Sequence, residues 1–234
     1  PRVSDDWQLP IVPYHCKAGP MMNKSNALAG FLAIFALAGC TPAQDSANNG
    51  AAAAGETDLH GAAIGGPFTL TDQDGKPRSW TDFKGQYRLV YFGYSFCPDV
   101  CPLDLQRIAQ GLRLFEKQAP TRAVKVQPIF ITVDPERDTP EVLKAYVAVR
   151  HPRMIGLTGT TDQIARVAKE FAVPFNKVQS KGSSGYLMGH GRTPYLFDPN
   201  GAPLVMLPVD DPATPDKDEG APELVAASLN RWVK

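Results

Sequence analysis

Two cysteines, Cys97 and Cys101, lie four positions apart in "YFGYSFCPDVCP", directly after an apolar run, and each is followed by proline. Such a pair has three uses: a disulfide staple, a thiol–disulfide reagent, or a grip on a soft metal ion. A staple this local closes a tiny loop and removes little entropy from the unfolded chain. Thioredoxin-type reagents place two residues between their cysteines. Here there are three, Pro98, Asp99 and Val100, which leaves the sulfurs room to join each other or to spread around an ion. Structural zinc asks for four protein ligands, commonly including a second cysteine pair, and the segment read below as mature has none. Two thiolates and one imidazole would suit copper.

The segment read below as mature offers three histidines: His60, His151 and His190. His60 borders a polar stretch and His151 sits in "VRHPRM" between two elements, so both read as surface residues. His190 lies in "YLMGHGRTPYLFDPNG", in a glycine-flanked loop where backbone can approach a site closely. Spacing alone leaves redox chemistry and metal binding open.

The elements around these residues are legible. "RLVYFGY", Arg88 to Tyr94, has the continuous apolar character of a buried central strand. Pro102 disfavours a helical conformation at the residue before it and is itself welcome in a first turn, which puts Cys101 at or just before a helix start. Leu103, Leu105, Ile108, Leu112 and Phe115 mark one face of that helix, to about Gln118. The cysteines therefore lie on a strand-to-helix connection, where the partial positive charge of the helix amino end favours thiolate.

Further along, "VKVQPIFITVDP" reads as a second buried strand, and a helix starts at Pro140 with Asp138 or Thr139 as cap. "RMIGLTG" is a third strand, and "TTDQIARVAKEFAV" a helix capped by Thr161 or Asp162. "PFTLTDQDGKPRSW" is a hairpin around Asp74-Gly75, "TPYLFDPNGAPLVML" a hairpin turning at Asp198 to Gly201, and a helix with Pro222 in its first turn closes the chain. This alternation specifies an α/β fold with a central sheet covered on both faces.

Of the 234 residues, 24 are Lys or Arg and 24 are Asp or Glu, so the net charge is zero. No basic stripe stands out, which argues against nucleic acid as a partner. Four cysteines are too few for a disulfide-built scaffold. Residues 21–39 have the layout of a secretory signal: Lys24, an apolar run from Ala27 to Ala38, then small residues. "LAGC", ending at Cys40, resembles the lipobox of bacterial lipoproteins, which makes Cys40 a lipidation site and a membrane anchor rather than a ligand. The expected location is therefore exported, on the periplasmic side, tethered to the cell membrane. Residues 1–20 match no export pattern and are set aside together with His15 and Cys16. Residues 40–59 are polar and rich in small side chains, the composition of a flexible tether, and the folded domain is expected from about residue 60 to 234.

Three motifs together resemble the Sco/SenC family: "CPDVCP" at Cys97 to Pro102, "VDPERDTPEVL" at Val133 to Leu143, and His190 ahead of "YLFDPNG". The combination is far more specific than a bare pair of spaced cysteines, and the resemblance runs from about Ile64 to the carboxyl end. It implies a thioredoxin-like fold with a mixed sheet and an extra amino-terminal hairpin. It also implies copper ligation by Cys97, Cys101 and His190, as Cu(I) or Cu(II), and a role in assembling cytochrome c oxidase. The implied task is copper delivery to the binuclear site of subunit II, or reduction of that site's cysteines. The implied partners are subunit II, a thioredoxin-like reductant and another copper chaperone. On this reading the chain is a metallochaperone and not a turnover enzyme. The alternative is a thiol–disulfide oxidoreductase, which needs only Cys97 and Cys101 as its redox-active pair.

One departure from the family pattern stands out. Many members carry Asp before the histidine and Ser or Thr after it, whereas Gly189 and Gly191 flank His190 here. An acidic neighbour would orient the imidazole through its second nitrogen, and such supporting partners tune affinity by about 10–100-fold. Asp134 to Asp138 reads as turn and cap chemistry, with charges that shape the site as a secondary option. Thr193-Pro194 resembles the cis-proline loop of thioredoxins. Counting back from the Asp198 turn places that proline nearer Arg192, so the role is not assigned to Pro194.

Overall fold

The computed structural model describes residues 55–98, 100–179, 185–211, 213–214 and 216–234. The segment 1–20, the signal at 21–39, Cys40 and the tether up to residue 54 lie outside the described residues. No described helix is long and apolar enough to cross a membrane.

Among the described residues the chain forms β1 (Thr57–Asp58), β2 (Thr69–Asp72), β3 (Pro77–Ser79), a 3-10 turn (Trp80–Phe83), β4 (Tyr87–Gly93), α1 (Val100–Gln118) and α2 (Pro120–Ala123). It continues through β5 (Val126–Thr132), α3 (Pro140–Ala148), β6 (Ile155–Thr158), α4 (Thr161–Glu170), β7 (Phe175–Gln179) and β8 (Tyr186–His190). It ends with β9 (Pro194–Phe197), β10 (Pro203–Met206) and α5 (Pro222–Trp232). Eight strands make one mixed sheet in the order β1-β10-β9-β4-β5-β6-β2-β3. β4, β5 and β6 run parallel, and the other pairings are antiparallel.

The sheet forms where the sequence carries unbroken apolar runs. All seven residues of β4 are buried, as expected of a strand covered on both faces. Its side chains alternate between two cores. Val90 and Phe92 join Trp80, Phe171 and Phe197 on one face, while Leu89 and Tyr91 meet Leu105, Leu112 and Phe115 of α1 and Leu229 of α5 on the other. Pro128 is tolerated in β5 because it precedes Ile129, where pairing with β6 begins, so one edge of the strand is still open there. Helix α1 approaches α5 closely at Gly111, where an added Cβ would lie 2.5 Å from Val225 Cβ.

The two expected turns are built as their residues dictate. Asp72 Oδ1 accepts from the amides of Asp74 and Lys76, and Gly75 adopts a φ of +75° that favours glycine. Asp198 Oδ1 accepts from the amides of Asn200 and Ala202 around Gly201.

Several expectations are corrected. The sheet begins at Thr57, ahead of the boundary near His60: β1 pairs with β10, and Leu59 is buried in the core. A two-residue strand carries no periodic signal. The cap of α4 is Thr160, whose hydroxyl accepts from the amide of Gln163 while Gln163 reaches back to the amide of Thr160. Thr161 and Asp162 are already helical. For α3 the cap is Thr139 and not Asp138. His151 is not a surface residue: it is 1 % exposed, its Nδ1 accepts from the amide of Arg153, and its Nε2 lies 3.3 Å from Glu116 Oε1. Burial holds its pKa below the ordinary value, against the pull of Glu116. His60, as expected, is exposed, with Nδ1 2.6 Å from Asp58 Oδ1.

Candidate metal centre

Helix α1 starts at Val100, so Cys101 is its second residue and Pro102 stands in the first turn, where its missing N–H is not needed. Cys97 sits four residues earlier in the connection from β4, half-buried, while Cys101 is fully buried. The two are not joined in a disulfide. The amide of Cys101 donates to Cys97 Sγ at 3.5 Å. The thiol of Cys101 is pushed well up, first by its hydrogen bond with Cys97, then by burial and by the charge of Cys97. At this sulfur the expected thiolate-favouring influence of the helix end is outweighed.

His190 is brought to the same place from 89 positions away. Its Nε2 stands 2.8 Å from Cys101 Sγ. It is not in a loop, as expected, but is the last residue of β8, paired with Phe175 in a separate two-stranded hairpin. Nδ1 lies 2.8 Å from the carbonyl oxygen of Gly191. A carbonyl only accepts, so Nδ1 carries the proton in the neutral ring and the Nε2 lone pair faces the sulfur. The orienting role that an acidic neighbour would have is filled by backbone. At Gly189 an added Cβ would lie 2.9 Å from Asn176 Oδ1, so a side chain there would displace Asn176.

This hairpin leaves no signal in the sequence, because β7 is largely exposed and shows no apolar alternation. Tyr94, which the sequence marks only as the end of an apolar run, also belongs to the site. It is buried, its ring meets the His190 ring edge-on at 5.9 Å between centroids, and its phenol is pushed up by burial first, with hydrogen bonding to Cys97 adding to the rise.

The segment Asp134 to Asp138 does more than turn the chain. Asp138 is fully buried and accepts from the amide of Ser95 at 3.0 Å, from the Ser95 hydroxyl and from Thr132 Oγ1 at 2.6 Å. It thereby holds the loop that leads into Cys97. Asp134 accepts from the Tyr186 hydroxyl at 2.8 Å and pairs with Arg137, whose guanidinium lies 3.8 Å over the Tyr186 ring and donates to the Tyr186 carbonyl. Tyr186 opens the strand that ends in His190. One short segment thus grips both site-bearing elements.

A family model described as SCO1/SenC matches residues 56–219, most of the described fold. The chain belongs to the SCO1/SenC family. Protein SCO2, mitochondrial, of Saccharomyces cerevisiae is 44% identical over 140 residues, covering 59% of this chain and 46% of the relative. The SCO2-like protein RP587 of Rickettsia prowazekii is 41% identical over 139 residues, 59% of this chain and 66% of its own. Among solved structures, Bradyrhizobium japonicum ScoI with copper bound superposes with a TM-score of 0.62 at 40% identity, covering 73% of this chain and 100% of the other. Yeast Sco1 with copper bound gives 0.61 at 33% identity, covering 73% and 88%. The chain spans about half the length of the first curated relatives it matches. As in these structures, the fold is α/β and thioredoxin-like.

Within this SCO1/SenC domain the three expected ligand residues meet unequally. Cys101 touches both Cys97 and His190, yet among the described residues no three His, Cys, Asp or Glu side chains are gathered into a ready metal cluster. The donor set, two sulfurs and an imidazole whose other nitrogen is fixed, has the chemistry of a soft-ion site. Among the described residues no peptide bond is cis, so Pro194 has no cis-proline role.

Proposed function

We propose that this chain is a copper metallochaperone that takes up one copper ion through Cys97, Cys101 and His190 and serves the assembly of the binuclear copper site of cytochrome c oxidase. The observation that carries the reading is the 2.8 Å approach of His190 Nε2 to Cys101 Sγ, with the lone pair directed at the sulfur. Membership of the SCO1/SenC family supports it, as do copper-bound relatives of similar fold. Cys101 is the hinge of the site: loading draws Cys97 and His190 onto one ion about it and removes its proton, since thiolates and not thiols are the ligands. Copper leaves by ligand exchange, so no general base is required.

The proposed recipient is subunit II of the oxidase, and a thioredoxin-like reductant keeps the cysteines reduced before loading. Another copper chaperone is the proposed donor. A signal at 21–39 and a lipid on Cys40 would place the domain on the periplasmic side of the cell membrane.

A second reading, thiol–disulfide oxidoreductase, is favoured by the inequality of the thiols, half-buried Cys97 beside buried Cys101. Copper stoichiometry of the reduced domain separates the two. One copper per chain is expected for the wild type, with loss in Cys97→Ser, Cys101→Ser and His190→Ala. Native copper affinity in His190→Ala, with disulfide exchange intact, would give the oxidoreductase reading precedence.

A further inference from the structure

We propose that Asp104 and Arg192 form a positioning pair for the copper site, a buried two-pronged ion pair that holds His190 against Cys101. This rests on the copper-carrier reading and adds to it two residues that do not touch the ion.

The placement is the argument. Asp104 follows Cys101 by three positions in α1, so the two share a helix face. Arg192 follows His190 by two positions, in the link between β8 and β9. Arg192 Nε donates to Asp104 Oδ2 at 2.9 Å and its Nη2 to Oδ1 at 2.7 Å. Tyr91 OH donates to Oδ2 at 3.0 Å. The remaining guanidinium nitrogen donates to the Asp210 carbonyl at 3.1 Å, and Asp210 is in turn paired with Arg107 of α1. The Asp104 side chain is 2 % exposed and that of Arg192 21 %, so water competes little for these bonds.

What makes the pair decisive is the attachment of the histidine strand. β8 hydrogen-bonds to β7 and not to the main sheet. Pairing of β8 itself therefore does not register His190 against α1; the chain is next held by the main sheet at Pro194, opposite Tyr91, and side chains must set the ring's place between. Arg192–Asp104 is a charged, bidentate contact two residues along the chain from His190, and such pairs fix direction as well as distance. Tyr94 and the Gly191 carbonyl then set the ring's rotation.

A merely structural ion pair would behave differently, because apolar replacement of both partners of a buried pair is often neutral for stability. The test therefore uses Asp104→Leu/Arg192→Met, which leaves no orphan charge, beside Arg192→Lys, which keeps the charge and loses the fork. Apo melting temperature, Cu(I) affinity by chelator competition, the thiolate-to-Cu(II) absorption bands with the EPR spectrum, and the His190 ring nitrogen shifts in reduced apo protein are measured. The expected result is a folded double variant whose copper affinity falls about 10–100-fold. Its Cu(II) spectrum moves toward that of His190→Ala, and its apo ring no longer holds one tautomer. Arg192→Lys falls between. Wild-type affinity, spectrum and ring shifts in both variants would overturn the proposal. The wild-type control separates the two ideas. If the wild type binds no copper, or binds it with a spectrum that His190→Ala leaves unchanged, the copper-carrier reading itself falls.

Discussion

The carboxylate of Asp138 receives both the backbone N–H and the hydroxyl of Ser95, a residue 43 positions earlier and two before Cys97. Thr132 Oγ1 supplies a third bond to the same buried group. The cysteine loop is thus tied to the end of β5 and the start of α3 through one buried carboxylate.

Replacing Asp138 by Asn puts a donor where acceptors are needed, and each unsatisfied buried group costs about 1–3 kcal/mol. Urea unfolding of the apo domain should show a loss of that size. The pH dependence is also fixed in sign. Burial raises the Asp138 pKa, more than its hydrogen bonds lower it. The folded state therefore binds the proton more tightly than the unfolded chain, and this group's contribution is full at acid pH and fades as pH rises through the folded value. The stability gap between wild type and Asp138→Asn should narrow from the ordinary carboxylate range upward. A gap that widens would contradict the assignment.

The two thiols should differ in reactivity. Cys101 is fully buried with its pKa pushed up, and Cys97 is half-buried. In reduced, metal-free protein near neutral pH, iodoacetamide should alkylate Cys97 faster than Cys101 by about tenfold or more, because the thiolate is the nucleophile and access is required. Peptide mapping by mass spectrometry reads the ratio, which should collapse toward unity in urea. Faster labelling of Cys101 in the native state would reverse the roles given to the pair.

Tyr186→Phe removes the hydroxyl that bonds Asp134 at 2.8 Å. The expected cost is about 0.5–1.5 kcal/mol, concentrated in the hairpin because β7–β8 stands apart from the main sheet. Amide exchange should quicken in residues 175–179 and 186–190 while β4 and β5 keep their protection. Uniform loss across the sheet would mean that the hairpin is not anchored through this contact.

Gly111→Ala should destabilise despite the better helix propensity of alanine, worth about 1 kcal/mol. The added Cβ would fall 2.5 Å from Val225 Cβ and 2.8 Å from the backbone oxygen of Pro222, so α1 and α5 must separate. A net loss of about 1–3 kcal/mol is expected from such overpacking, with copper affinity unchanged in the folded protein. A variant more stable than wild type would show that the helices can part freely.

Much of the fold was legible because it rests on local chemistry. The seven-residue apolar run of β4, the Asp74-Gly75 and Asp198 to Gly201 turns and the prolines at the starts of α3 and α5 each act within a few residues. The polar strand β7 and the two-residue β1 lack any such pattern and are not legible in the sequence. Asp104 had left a trace: it sits beside Leu105 and Ile108 on the apolar face of α1, and a charge there needs a partner. Nothing in the spacing names that partner as Arg192.

By itself, then, the amino-acid order determined the strand and helix sequence, the position of two thiols at a helix start, and the motifs that mark the family. Tertiary packing alone decided that His190 reaches Cys101, that Asp138 reaches Ser95, that Arg192 reaches Asp104, and that His151 is interior. Periodicity, caps and turns are set by neighbours along the chain, whereas these contacts join side chains from distant elements. They exist only where sheet order and helix docking bring those elements together.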